Sequence, residues 1–296
     1  MTSDVSHRRV YDSAPWTAPL LVKAALPAVP GLGRLPGLRR DALQSPSLAL
    51  ERHGVEVDLG HLASYAETCR FALSDVLPAT YPHLAAFPLH LALMTDSSFP
   101  FPPIGSVHVA NAITQHRPLH VDEKFDLTVQ ASDLRAHPKG RLVDLVTTAT
   151  VGDELVWQET TTVLRRGRGD PDVADPLPLR DIDPPIGPTR WLVPASLGRR
   201  YAGLSGDRNP IHLFALTAKA FGFRRQIAHG MWTKARCLAA MQGRLPDAYT
   251  VEVAFRRPIL LPGSVRFGSV EDDGRLVLGV TAIRDASPHL VGVVTL

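Results

Sequence analysis

The chain has 296 residues, of which 45% are hydrophobic and 21% are charged, and its formal net charge is +3. This length can hold two ordinary domains or one large one, each with a sizeable core. The nearly balanced charge shows no concentrated basic stripe, which argues against a nucleic-acid-binding protein.

Residues 18–33 form an apolar stretch that is interrupted by Lys23 and by prolines, so it is a poor signal peptide. No uninterrupted apolar run reaches the roughly 18 to 20 residues that an integral membrane segment needs. Cys69 and Cys237 lie far apart, which argues against a disulfide framework or a zinc site. We therefore expect a cytoplasmic protein whose cysteines are buried small apolar residues.

The first half begins with an expected terminal extension, residues 1–50, that is packed or frayed and includes the basic segment LGRLPGLRR. A helix-like region, VDLGHLASYA, then leads to Tyr65. Alternating apolar and polar residues predict four strands in the segments GSVHVANAITQHRPL, EKFDLTVQASDLRAH, GRLVDLVTTATVG and DELVWQETTTVLRR.

Residues 166–190 are rich in Pro, Gly and Asp and are predicted to be an extended linker. After the linker, VPASLGRRYA is helix-like and leads to Tyr201. Four more strands are predicted in YTVEVAFRRPILLPG, SVRFGSVEDD, RLVLGVTAIRDA and HLVGVVTL.

The two halves indicate an internal duplication. Tyr201 follows Tyr65 by 136 residues, and Arg257 of FRRPI follows Arg117 of QHRPL by 140 residues. Each unit would run from a short strand through helical elements to a long helix and four antiparallel strands. Such a sheet needs apolar cover on one face and is expected to wrap the long helix.

The segment SGDRNPIH, residues 205–212, occurs only in the second half. Asn209 and Pro210 are typical of a helix start, and the helix is expected to continue through IHLFALTAKAFGF. His212 would then lie in the first turn, where the helix dipole keeps its ring neutral. Gly206 frees the backbone so that Asp207 can face the same point.

A neutral histidine and an ionised aspartate that converge on one point can bind a water molecule and transfer its proton. This chemistry suits the addition or removal of water across a double bond conjugated to a carbonyl. An oxyanion site is also needed, and the amide of Gly230 at the start of the helix in QIAHGMWTKARCLAAM can provide one.

YAGLSGDRNPIH, followed by IAHGM and FRRPILLPG, resembles the hydratase-2 motif of MaoC-like (R)-specific enoyl-thioester hydratases and 3-hydroxyacyl-thioester dehydratases, which have the hot-dog fold. HVANAITQHRPL and GRLVDLVTTATVG resemble the actinobacterial members in particular. The resemblance implies an α+β chain with a tandem (double) hot-dog fold. The expected organisation is a degenerate unit at 51–165 that lines the acyl-chain pocket, the linker, and a catalytic unit at 191–296.

By this resemblance, Asp207 and His212 carry acid-base catalysis, Asn209 orients the catalytic turn, and the Gly230 amide polarises the thioester carbonyl. The implied hydro-lyase interconverts trans-2-enoyl and (R)-3-hydroxyacyl thioesters in fatty-acid metabolism. It uses no metal or redox cofactor. The substrate is carried on coenzyme A or acyl carrier protein, and a homodimer or a fatty-acid synthesis complex is a possible assembly.

Other assignments stay open from the sequence. The chain could instead be an idle acyl-binding scaffold subunit or a hot-dog thioesterase. His229 either lines the site or is satisfied by backbone, and Ser205 is a substrate-site candidate or a turn residue. Arg256 and Arg257 either reach substrate phosphates or form a solvated strand end. A further group of histidines is expected to bind no metal because no carboxylate or cysteine lies at ligand spacing: His108, His116 and His120.

Overall fold

The structure is a computed structural model that describes residues 7–25 and 45–296. In chain order the elements are β1 (His7–Tyr11), α1 (Thr17–Ala25), β2 (Leu48–Val55), α2 (Leu59–Cys69), α3 (Pro82–Thr95), β3 (Ser106–Gln115), β4 (Phe125–His137), β5 (Gly140–Val151), β6 (Glu154–Arg166), β7 (Thr189–Val193), α4 (Leu197–Ser205), α5 (Pro210–Leu213), α6 (Ala215–Ala220), α7 (Gly230–Met241), β8 (Tyr249–Phe255), β9 (Gly263–Asp272), β10 (Arg275–Ala282) and β11 (Pro288–Thr295). The eight strands predicted from alternation are all present. None of the helices in these residues is long and apolar enough to cross a membrane.

The chain divides into two compact units that are not two consecutive blocks of sequence. Unit 1 comprises Met1–Glu56 as far as it is described, Pro82–His108 and Lys124–Pro176. Unit 2 comprises Val57–Tyr81, Val109–Glu123 and Leu177–Leu296. Helix α2 and most of β3 therefore belong to unit 2, although they precede the linker in sequence. The boundaries at 51–165, 166–190 and 191–296 stay a prediction about the duplicated sequence.

Unit 1 is a sheet in the order β1-β2-β4-β5-β6, in which β1 pairs parallel with β2 and the other pairs are antiparallel. Helix α3 packs against β2, β4 and β5. The helix is apolar nearly all round and most of it is buried, as expected for a helix that a sheet covers. The expected extension thus contributes a strand to this sheet, while the segment LGRLPGLRR lies outside the described residues.

A buried polar cluster joins α3 to strands β5 and β6. His83 Nδ1 is 2.9 Å from both carboxylate oxygens of Glu159, and His90 Nε2 is 2.7 Å from Thr147 Oγ1. Burial lowers the pKa of His90 to about 4, so its ring is neutral near pH 7. These hydrogen bonds offset part of the cost of burying polar groups in unit 1.

Unit 2 is an antiparallel sheet in the order β3-β8-β11-β10-β9-β7. Helix α7 carries a buried lysine, Lys234, whose Nζ donates to the carbonyls of Asn111 on β3 and Val251 on β8 at 3.3 and 3.0 Å. Trp232 Nε1 donates to Thr68 O of α2 at 3.1 Å. These bonds tie α7 to the strands and to α2.

The part of the linker from Leu177 onward belongs to unit 2 and packs on its sheet, and residues 167–188 form no helix or strand. A Cβ atom placed on Gly268 or Gly279 would lie 2.4 or 2.6 Å from Pro185 O. These two glycines therefore let the linker lie directly on β9 and β10.

Candidate functional site

The turn after α4 holds Asp207 in a defined orientation. Gly206 adopts φ 75°, which a glycine tolerates at a helix C-terminus. The Asp207 amide donates to Ser205 Oγ at 3.2 Å, and the Asn209 amide donates to Asp207 Oδ1 at 3.1 Å. Ser205 is buried and also donates to Tyr201 O at 3.0 Å, so it acts within the turn. The Asp207 side chain is 28% exposed, which leaves its carboxylate accessible.

Asn209 and Pro210 start a helix, as the sequence predicts. The Asn209 side chain accepts the Ile211 amide, and Pro210 is the first helical residue of α5. The prediction of one continuous helix through Phe223 is wrong. Phe214 is extended at φ −141°, ψ 151°, so it ends α5 after four residues and begins the separate helix α6.

His212 faces Asp207 with a defined ring nitrogen. His212 Nδ1 lies 2.9 Å from Ile227 O, and since a carbonyl only accepts, Nδ1 carries the hydrogen in the neutral ring. The other nitrogen, Nε2, is then an acceptor and lies 3.8 Å from Asp207 Oδ2. The tautomer of His212 therefore presents a proton acceptor beside the carboxylate.

His229 stacks on His212, with ring centroids 3.7 Å apart and an angle of 22° between the planes. Its Nε2 donates to the main-chain carbonyl of Asp207 at 3.0 Å. The Tyr201 ring also contacts it, with ring centroids 4.9 Å apart. His229 Nδ1 is buried with no hydrogen-bond partner among the described residues. This ring thus supports both Asp207 and His212.

Both histidines are held neutral mainly by burial. Burial lowers the pKa of His212, against a smaller raising effect of Asp207. Burial, together with His212, lowers the pKa of His229 to about 3. The neutral His212 agrees with the sequence expectation, but its cause differs, because His212 lies in the last turn of the four-residue α5 and burial dominates.

Gly230 is the first residue of α7, with His229 as the N-cap. The first amides of a helix have no intrahelical acceptor and carry the positive end of the dipole. A Cβ atom on residue 230 would lie 2.9 Å from Phe255 Cζ. Glycine therefore allows α7 to begin directly against β8.

Arg256 and Arg257 follow β8. The Arg256 guanidinium donates to Leu179 O of the linker, and Arg257 is exposed with its amide 3.4 Å from His289 O. Of the three histidines considered as metal ligands, His120 Nδ1 lies 4.0 Å from Asp75.

Two groups in the described residues have ligand atoms of the metal-binding kind within 4.8 Å of one another: Asp207, His212 and His229, and His83, His90 and Glu159. In the first group, however, His212 Nδ1 and His229 Nε2 are bonded to carbonyls. What remains facing one point is His212 Nε2 and the Asp207 carboxylate. Two acceptors placed in this way can hold one water molecule and take its proton.

Ile227 was missed by the sequence reasoning. Its contribution is a main-chain carbonyl, which every residue type offers, so no side-chain signal marks it. The only indication was its position two residues before His229 in QIAHG. The two cysteines are free and buried, as predicted.

Residues 187–278 match the model of the MaoC like domain. The chain is 37% identical over 274 residues to 3-hydroxyacyl-thioester dehydratase X of Mycobacterium tuberculosis, which covers 91% of this chain and 93% of that relative. The crystal structure of HtdX from the same organism superposes with a TM-score of 0.74 at 35% identity, covering 83% of this chain and 99% of that structure.

A third similarity concerns the fold alone. A Mycobacterium tuberculosis protein described as having a double hotdog fold matches with a TM-score of 0.53 at 13% identity, over 86% of this chain and 96% of the other. The sheets and buried helices of this chain agree with that description. The tandem hot-dog fold expected from the sequence is confirmed.

Proposed function

Because this chain belongs to the family of MaoC-like dehydratases, we propose that it interconverts trans-2-enoyl thioesters and (R)-3-hydroxyacyl thioesters by reversible hydration. The observation that carries the proposal is the pair formed by Asp207 Oδ2 and His212 Nε2, 3.8 Å apart, with the tautomer of His212 set by Ile227 O. The (R) configuration and the acyl thioester come from the family.

In the hydration direction, a water molecule donates one hydrogen to the Asp207 carboxylate and the other to His212 Nε2. The oxygen adds to C3 while one of the pair accepts a proton, and the pair returns a proton to C2 on the same face. Dehydration is the reverse, in which the C2 proton is removed and transferred to the departing C3 hydroxyl. General acid-base groups in such positions typically contribute about 10² to 10⁴ in rate.

The negative charge that develops on the thioester oxygen needs a donor. The Gly230 amide at the start of α7 is our candidate, because it combines a helix N-terminus with close approach of the substrate. Asn209 keeps the Asp207 turn in place. His229 supports the pair through its stack on His212 and its bond to Asp207 O.

The proposed reaction transfers only protons and water, so it needs no metal or redox cofactor. Substrate roles for Arg256 and Arg257 and an acyl-chain pocket formed by the first half stay part of the proposal, as does a cytoplasmic location. The idle scaffold subunit and the thioesterase remain the alternatives to be tested.

The test is to mix purified protein with trans-2-enoyl thioesters of several chain lengths, carried on coenzyme A or on an acyl carrier protein, and follow the loss of conjugated-thioester absorbance. Wild type is compared with Asp207→Asn and His212→Gln, and Arg275→Gln, at an exposed position of β10, serves as the control. Free thiol is measured in parallel. We expect rapid loss in wild type, large rate losses in the two site variants, and no thiol release.

Equal rates in wild type and in Asp207→Asn would overturn the assignment of the pair. Release of free thiol at the rate of absorbance loss would establish the thioesterase instead. Inactivity toward every CoA ester and every carrier-bound ester would favour the scaffold subunit.

A further inference from the structure

The segment between Leu213 and Gln226, which we call the 213–226 excursion, begins directly after His212. It ends directly before Ile227, which is hydrogen-bonded to His212. The Ile227 amide donates to Ile211 O at 3.0 Å, and Ile227 O accepts from His212 Nδ1 at 2.9 Å. The residues on both sides of the excursion are thereby joined beside the Asp207–His212 pair. Anything that binds the excursion is held next to the reacting groups.

Three apolar side chains of the excursion are exposed to solvent. Phe214, Leu216 and Phe221 are 53%, 81% and 36% exposed. Thr217 Oγ1 donates to Pro210 O at 2.6 Å and Arg199 Nη1 donates to Leu213 O at 3.1 Å, so α6 and the start of the excursion are fastened to the core. Three exposed apolar side chains within eight residues, on a backbone held by hydrogen bonds, favour a binding surface.

The same segment carries charge of a single sign. Lys219, Arg224 and Arg225 are exposed, and no Asp or Glu occurs in the sequence from 208 to 246. Across residues 7–25 and 45–296, these three cations form no ion pair with a carboxylate. Their charge is therefore available to a partner.

These observations distinguish between possible occupants. A symmetric dimer through this surface would bring like charges together, which disfavours a second copy of the chain. A free coenzyme A thioester offers phosphates for the cations and one adenine ring for an aromatic side chain, whereas a protein surface can cover all three exposed apolar side chains together. An acidic protein with apolar side chains among its carboxylates matches both features.

We propose that the 213–226 excursion is the docking surface for an acidic carrier protein, which presents its acyl-phosphopantetheine thioester to Asp207 and His212. This inference rests on the proposed function and adds the partner that delivers the substrate. Cations at an interface rim act mainly on the association rate and its salt dependence. Efficient turnover of the carrier-bound substrate should therefore depend on Lys219, Arg224 and Arg225 and should fall at high salt.

The experiment compares the variant Lys219→Glu/Arg224→Glu/Arg225→Glu with wild type. The control, Arg190→Glu/Arg266→Glu/Arg275→Glu, makes the same charge change at exposed positions of β7, β9 and β10. Substrates are a trans-2-decenoyl thioester on a purified acidic acyl carrier protein and the same acyl group on coenzyme A. Binding is measured separately with a carrier that bears a saturated decanoyl arm, and self-association by sedimentation.

We expect the first variant to lower kcat/KM for the carrier-bound substrate on the order of tenfold more than for the CoA ester, with weaker carrier binding, while the control changes neither. Equal losses on both substrates, unchanged carrier binding, or no carrier binding by wild type would overturn the docking surface. So would a wild-type dimer that the first variant dissociates. If wild type binds the carrier in a charge-dependent way but turns over neither substrate, the proposed function fails and the docking surface stands.

Discussion

The rings of His212 and His229 stack with 3.7 Å between their centroids, and the two residues lie on either side of the 213–226 excursion in the chain. Since both rings are buried, protonation of either ring loses solvation free energy. A positive charge on one ring also disfavours protonation of the other. Both rings donate a hydrogen to a carbonyl, from His212 Nδ1 and from His229 Nε2. The stack thus favours the neutral form in which His212 Nε2 can accept a proton.

This relationship predicts the acid limb of the pH profile. The active form needs neutral His212, and burial lowers its pKa below the ordinary value of about 6.5. The kcat/KM for an enoyl thioester should therefore hold as pH falls through 6.5 and decline only below it, because kcat/KM reports the free enzyme. Measurement across pH 4.5 to 8 checks this, and a midpoint at or above about 6.5 would contradict it.

Gly230→Ala is predicted to lower activity more than stability. The added methyl group would lie 2.9 Å from Phe255 Cζ, so either this ring or the start of α7 with its amide must shift. We expect kcat to fall by about 10² or more, in the range found when an oxyanion donor is lost. Gly203→Ala is the control, because nothing lies within 4 Å of a Cβ at that helical position. Phe255→Leu in the Gly230→Ala background should restore part of the rate, and a fully active Gly230→Ala protein would remove Gly230 from the mechanism.

Much of the fold follows from local pattern. Alternation predicts β4 and β5 within a few residues, since one face of each strand is buried. The Asn209–Pro210 step predicts the start of α5 because capping depends on adjacent residues alone. Local pattern does not predict that Phe214 interrupts the helix, because the sequences on both sides have ordinary helix propensity and Phe214 is neither Gly nor Pro.

The relations between distant parts of the chain could be predicted only in part. The offset between Tyr65 and Tyr201 indicated a duplication, and the two rings indeed lie 6.4 Å apart in unit 2. That α2 shares this unit with α4 and α7 depends on long-range packing, which no periodicity encodes. In the same way, the sequence motif around Asp207 and His212 could be recognised. The hydrogen bond from His212 Nδ1 to Ile227 O could not, because it depends on a backbone atom.

Lys234 is predicted to be needed for stability although it lies outside the site. Its Nζ is fully buried and donates to Asn111 O and Val251 O, besides Asn111 Oδ1 at 2.5 Å. Lys234→Met keeps the side-chain volume but removes the donor, so the acceptor oxygens stay buried without their bonds to Nζ. This should cost about 2 to 4 kcal/mol in the free energy of unfolding. Urea unfolding measures the loss, with exposed Lys219→Met as the control. A loss equal to that of the control would show that the bonds contribute nothing net.

His90 gives a prediction for stability against pH. Its pKa is about 4 when folded and about 6.5 when unfolded, so below pH 6.5 the unfolded chain binds a proton that the folded protein excludes. Stability from this group is present above pH 6.5 and is lost as pH falls toward 4, by up to about 1.4 kcal/mol per pH unit. His90→Gln keeps a side chain able to bond Thr147 but does not titrate. Urea unfolding from pH 4 to 7 should therefore give a shallower slope for His90→Gln than for wild type, and parallel curves would mean that His90 titrates alike in both states.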